Sequence, residues 1–193
     1  MKVLFLDIDG VLNSAEWSQE NHQLRLKLQE MGLSETVEMN KCRFPLGHLS
    51  PRLIDKLNTI CEFTDCKIVI SSTWRLHHFN GLPSYLVERG FKYPSSIIGR
   101  TDNFNISYGR GYEIHEWLNK NADIVKSFAI LDDDCDMHHL TPYLINTEYM
   151  IGLTDEDVQL TIDVLNGNIA EVPLHELRRK NFEYMTTEIW KKP

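Results

Sequence analysis

Two aspartates one residue apart, Asp7 and Asp9, follow directly on an unbroken apolar run, Val3-Leu4-Phe5-Leu6, and Gly10 closes the segment. An extended chain aims residues i and i+2 at one face, and a glycine lets the turn backbone approach a ligand closely. Two carboxylates held so near each other call for a proton or a cation between them. The same design recurs twice. Lys67-Ile68-Val69-Ile70 runs into Ser71-Ser72-Thr73-Trp74-Arg75, hydroxyls followed by a guanidinium, and Phe128-Ala129-Ile130-Leu131 runs into Asp132-Asp133-Asp134-Cys135-Asp136. A strand that ends in a solvated turn would account for any one of these. All three together predict a single site assembled from distant segments, because open α/β sheets bind ligands beyond the carboxyl ends of their strands.

The elements that must hold these residues are legible in outline. The three runs lack polar alternation, as strands of a parallel sheet covered on both faces do. Residues 14–31 read as a helix with Ser14 as cap, Trp17, Leu24, Leu28 and Met31 on one side, and Gly32 as its stop. Pro51 to Phe63 read as another, with Ser50 as cap and Leu53, Ile54, Leu57 and Ile60 as its buried stripe. Leu82 to Arg89 is helical up to Gly90, Ser96 to Gly99 is a short strand, and Tyr112 to Leu118 is a helix opened by Gly109-Arg110-Gly111. Tyr143 to Asn146 is a further strand, and Thr154 with Asp157 nearly forms a capping box for a helix through Leu165. Strands alternating with helices predict an α/β fold, a Rossmann-like three-layer sandwich around a central parallel sheet.

One domain of 193 residues is expected, 1–193, at 42% hydrophobic and 25% charged residues. Residues 14–49 are longer than a minimal connection, so they form either a small lid or flap inserted after the first strand or a helix packed outside the sheet. The tail 171–193 reads as a C-terminal helix, with Leu174, Leu177, Phe182, Met185 and Ile189 at helical spacing. A formal net charge of −8 disfavours nonspecific duplex binding through a broad basic field but leaves room for a local basic pocket. No stretch of 18 apolar residues is present, so no membrane association and a cytoplasmic location are expected. Cys42, Cys61, Cys66 and Cys135 show no CxxC pair and no zinc spacing, and reduced thiols are expected. Cys135 is a poor nucleophile candidate beside so many carboxylates, and His138 and His139 read as covering the loop.

Taken in order, Asp7-Ile8-Asp9-Gly10-Val11, strand-Ser71-Ser72-Thr73-Trp74-Arg75, a basic residue opening a helix at Arg110, and strand-Asp132-Asp133 resemble the haloacid dehalogenase superfamily of phosphohydrolases over about residues 1 to 165. Within it, Ser71 to Arg75, Arg110 to Ile114 and Gly152-Leu153-Thr154 resemble the small phosphatase domains of phage and bacterial nucleic-acid repair proteins. The resemblance implies hydrolysis of a phosphomonoester through an aspartyl phosphate with Mg²⁺ as cofactor. It makes Asp7 the nucleophile and a metal ligand, and Asp9 a metal ligand through its carbonyl and the acid, then base, through its carboxyl. Asp132 is implied as a further metal ligand with Asp133 as a second, and Asp136 at a spacing that also fits. Ser71 and Ser72 would bind the phosphate. Arg110 stands where the family keeps a lysine or arginine to neutralise the reacting groups, with Arg100 in reserve. Arg75 would either clamp the substrate or hold its loop through an ion pair.

The implied substrate is a small-molecule or nucleotide phosphomonoester, or the 3′-phosphate end of a nucleic acid. Arg25, Lys27, Lys41 and Arg43 in the insertion would hold its remote anionic part. A dehalogenase proper would not need Asp9 or the Asp132/Asp133 pair. A phosphotransferase or phosphomutase would share every motif, and a non-catalytic module on this fold would be expected to have lost one of them.

Overall fold

The computed structural model describes residues 1–30, 49–103 and 109–170. The side chains of Leu24, Arg25, Lys27 and Leu28 lie outside that description. So do residues 31–48, with Met31, Gly32, Lys41, Cys42 and Arg43, and the tail 171–193. The expectations for the insertion's function and for a C-terminal helix fall there.

Five strands form one parallel sheet in the order β3-β2-β1-β4-β5. They are β1 (Lys2–Leu6), β2 (Lys67–Ile70), β3 (Ile97–Arg100), β4 (Ser127–Asp132) and β5 (Leu144–Asn146). The strand order reverses around β1, which pairs Leu4 with Ile68 of β2 and with Ala129 of β4. That puts β1 at the topological switch point, where a ligand crevice opens.

The helices are α1 (Ala15–Glu30), α2 (Pro51–Thr64), α3 (Leu82–Glu88), α4 (Gly109–Lys120) and α5 (Asp155–Asn166). Strand alternation divides the core. Leu4, Leu6, Ile68, Ile70, Ala129 and Leu131 face a cluster that includes Ile54 and Leu57 of α2, Leu86 of α3 and Leu165 of α5. Val3, Phe5, Val69 and Ile130 face the opposite layer, with Ile114 of α4 and with Met137 and Leu140. Helix, sheet and helix are thus the three layers expected. Burying each of these large aliphatic side chains is worth about 1.5–3 kcal/mol, which is why both faces of the strands are apolar.

Several boundaries and caps depart from the sequence reading. Ser50 has the extended backbone of an N-cap and Pro51 fills the first turn, yet the Ser50 side chain makes no capping bond. Helix α4 begins at Gly109 rather than Tyr112, so Arg110 lies in its first turn. Gly111 is the reason it can, since a Cβ there would sit 2.3 Å from the carbonyl oxygen of Met137. Tyr143 belongs to a 3₁₀ turn, His138–Tyr143, leading into β5. The capping box at α5 is complete, Thr154 and Asp157 each bonding the other's backbone N–H. Among the described residues no helix is long and apolar enough to cross a membrane.

Candidate active site

The end of β1 is where the site begins. Asp7 keeps the ladder going, its N–H donating to the carbonyl of Leu131 at 2.9 Å, and the chain then coils tightly, with Leu12 N–H donating to Ile8 at 2.9 Å. Gly10 lies at φ +67°, and a Cβ there would fall 2.4 Å from Cγ of Asp133. The glycine therefore lets the turn after β1 press against the acidic loop after β4. Asn13 fastens the turn by accepting from Gly10 N–H at 2.9 Å, and the Thr147 hydroxyl donates to the Gly10 carbonyl at 2.8 Å.

Asp7, Asp132 and Asp133 each present a carboxylate oxygen, and these lie within 4.8 Å of one another. Asp7 and Asp132 are buried, and Asp133 is half-buried. Arg110 meets them from α4, its Nη1 donating to Oδ1 of Asp7 at 3.2 Å and lying 3.7 Å from Oδ2 of Asp132. It also donates to the carbonyl of Ser71, and the Arg110 backbone N–H donates to Oδ2 of Asp136 at 2.9 Å. Asp136 thus anchors the start of α4 and lies outside the acid cluster.

One guanidinium does not balance this charge. Burial pushes the Asp7 carboxyl above its ordinary value, against the opposing pull of Arg110, the Ser72 hydroxyl and the Ile8 N–H. Asp132 is driven up further, by complete burial and then by the negative charge of Asp7. Burial works against the charge on Arg110, but Asp132, Asp7 and Asp136 more than offset it and hold the guanidinium protonated. Oδ2 of Asp132 is buried without a hydrogen-bond donor. Three hard carboxylate oxygens around a position short of positive charge, one of them unsatisfied, suit Mg²⁺. Asp7, Asp132 and Asp133 would hold the ion.

Ser71 and Ser72 are fully buried at the end of β2. The Ser71 hydroxyl is unpartnered, as a group awaiting a phosphate oxygen would be, whereas Ser72 accepts from Trp74 N–H at 3.4 Å and bonds Asp7. Arg75 turns away from solvent. Its guanidinium binds Glu113 of α4 and the carbonyls of Ser71 and Ser72, the contacts expected of a loop-holding ion pair. Arg100, the reserve for Arg110, donates to the Arg75 carbonyl and lies over the Phe79 ring at 4.9 Å, outside the acid cluster.

The Asp9 carboxylate also stands apart from that cluster. Its two oxygens are divided between donors, Asn13 Nδ2 at 2.8 Å and Trp74 Nε1 at 2.9 Å. Trp74 is stacked on Tyr85 at 17° between ring planes, so it is both packing and a positioning donor. Sequence reasoning gave Trp74, Asn13 and Glu113 no part in the site. For Asn13 a local signal existed, an amide four residues after an aspartate across a glycine turn. For Trp74 and Glu113 none did, because their partners lie 65 and 38 residues away. Cys135 is half-buried against the β1–β4 face, and His139 contacts His115 at 3.0 Å.

Comparison with protein families matches residues 3–158 to the HAD domain in Swiss Army Knife RNA repair proteins. No curated protein and no solved structure matches the chain.

Proposed function

This chain belongs to the family of HAD domains found in Swiss Army Knife RNA repair proteins, and from that premise we propose that it is a Mg²⁺-dependent phosphohydrolase acting through an aspartyl phosphate on Asp7. The proposed substrate is a nucleotide or a nucleic-acid 3′-phosphate end. The observation that carries this reading is the guanidinium of Arg110 set 3.2 Å from Asp7 and 3.7 Å from Asp132, two of the three carboxylates that cluster there.

The steps follow from the residues present. A phosphate monoester enters with its oxygens toward Arg110 and the open hydroxyl of Ser71, both of which stabilise charge spreading over the transferring group. Mg²⁺ held by Asp7, Asp132 and Asp133 would screen the carboxylates from the anionic substrate and polarise a phosphoryl oxygen. Asp7 attacks phosphorus as the bond to the leaving oxygen breaks, and Asp9 gives that oxygen its proton. A water then yields a proton to Asp9 and attacks phosphorus, which frees Asp7 and releases inorganic phosphate. Asn13 and Trp74 keep the Asp9 carboxyl aimed through both steps.

Replacement of Asp7 by Asn tests the assignment. Turnover of an aryl phosphate with Mg²⁺ should vanish while the fold persists, and a variant that keeps more than about a tenth of wild-type turnover would sink it.

A further inference from the structure

A cavity of about 380 Å³ lies between the 3₁₀ turn Thr73–Leu76 and the end of β3, lined by residues 76–81 and Arg100. It opens at the same carboxyl end of the sheet as the acid cluster, since Thr101 N–H extends β3 onto the carbonyl of Ile70, immediately before Ser71. One link to the chemistry runs through His78. His78 meets the edge of Trp74 with ring centroids 6.0 Å apart, and Trp74 donates to Asp9.

The lining differs from that of two other cavities. One beside α1 is rimmed by Glu16, Asp155 and Glu156, and one between α2 and α5 includes Asp155. Among the described residues no carboxylate lines the cavity at Arg100, in a chain of net charge −8. It offers one permanent cation, two imidazoles, the ring of Phe79 and the amide of Asn80. A guanidinium centred 4.9 Å from an aromatic ring marks a surface on which a nucleobase stacks, and a cation with no carboxylate paired to it among the described residues suits a phosphodiester. The volume falls in the usual range for a small-molecule site.

We infer that this cavity seats the nucleotide next to the terminal phosphate of a single-stranded nucleic-acid end, with a base on Phe79 and His78 and its backbone phosphate at Arg100. The inference rests on the phosphohydrolase reading and adds a reason for the enzyme to prefer a strand end over a free mononucleotide. Arg100, set aside as a substitute for Arg110, thereby acquires a role of its own.

The test compares an aryl phosphate, a 3′-mononucleotide and a labelled, short 3′-phosphorylated oligoribonucleotide on the wild type, Phe79→Leu and Arg100→Gln. Leu keeps an apolar side chain without the aromatic face, and Gln removes the charge while retaining an N–H donor. The wild type should favour the oligonucleotide over the mononucleotide in kcat/KM. Each variant should lose about tenfold more on the oligonucleotide than on the aryl phosphate, and Arg100→Gln should flatten the salt dependence. Equal losses on all three substrates, or a wild type indifferent to the added nucleotides, would overturn the cavity's role while leaving the phosphohydrolase reading intact. If the wild type hydrolyses none of the three, that reading fails instead. Anisotropy of the labelled oligonucleotide then decides the cavity's role, which stands if Phe79→Leu weakens binding and falls if it does not.

Discussion

Replacing Glu113 by Gln should cost stability and activity together, because one buried charge holds two parts of the site. The side chains of Arg75 and Glu113 are only 3% and 11% exposed, and the pair joins the loop after β2 to α4. Gln keeps the shape and an oxygen that can accept from the guanidinium but removes the counter-charge, leaving Arg75 buried beside two carbonyls and the like charge of Arg110. Breaking a buried pair from one side costs about 3–5 kcal/mol. The retained acceptor argues for the lower end, about 3 kcal/mol. For a chain of this length each kcal/mol moves Tm by about 2–4 °C, so a fall of about 6–12 °C is expected in thermal unfolding followed by circular dichroism. Arg110 stands three residues before Glu113, and its guanidinium shares the Ser71 carbonyl with Arg75. The catalytic rate should therefore drop as well, even well below the new Tm. The double variant Arg75→Met/Glu113→Leu should recover most of the Tm, since an apolar pair replaces the ionic one at similar volume. It should not recover the rate, because the tie to the Ser71 and Ser72 carbonyls is gone. A Tm for Glu113→Gln within about 2 °C of wild type would refute the claim that this pair is buried and charge-compensated.

Two further outcomes follow from the geometry. Trp74→Phe keeps the ring on Tyr85 but removes the N–H that Asp9 accepts at 2.9 Å. A hydrogen bond to a charged group is worth about 1.5–3 kcal/mol, so Tm should fall by roughly 3–12 °C and, with Asp9 no longer held in place, kcat by roughly 10- to 100-fold at temperatures where the variant is folded, and an unaltered kcat would remove Trp74 from the mechanism. Asp7 and Asp132 have folded-state pKa values raised above their unfolded ones, so the folded state binds more protons, and their contribution to stability is present below the ordinary carboxylate range and lost as pH rises through the raised values. In chelator the wild-type Tm should therefore fall over that window more steeply than that of Asp132→Asn, and Mg²⁺ should restore the wild type at neutral pH. Parallel curves, or no response to Mg²⁺, would contradict the cluster's assignment as a metal site.

Much of the site was legible in the sequence because its signals are local. Apolar runs that end abruptly in acids or hydroxyls revealed both the parallel strands and the residues they deliver, and Asp7, Ser71, Asp132 and Asp133 converge there, joined by Arg110, which only the family resemblance had singled out. The capping box of α5 was readable for the same reason, since Thr154 and Asp157 satisfy each other three residues apart. What the tertiary structure alone decided are relations between segments that sequence spacing does not encode. Two serines looked alike, yet one bonds Asp7 and the other keeps an open hydroxyl, because the turn after β2 points them differently. Arg75 and Arg110 are both guanidiniums close to the site. Burial against Glu113 made the first a structural tie, and the early start of α4, allowed by the missing side chain of Gly111, set the second on Asp7. Periodicity and residue type determine which face of an element is apolar and where it ends, whereas a charge's partner depends on which distant element packs beside it.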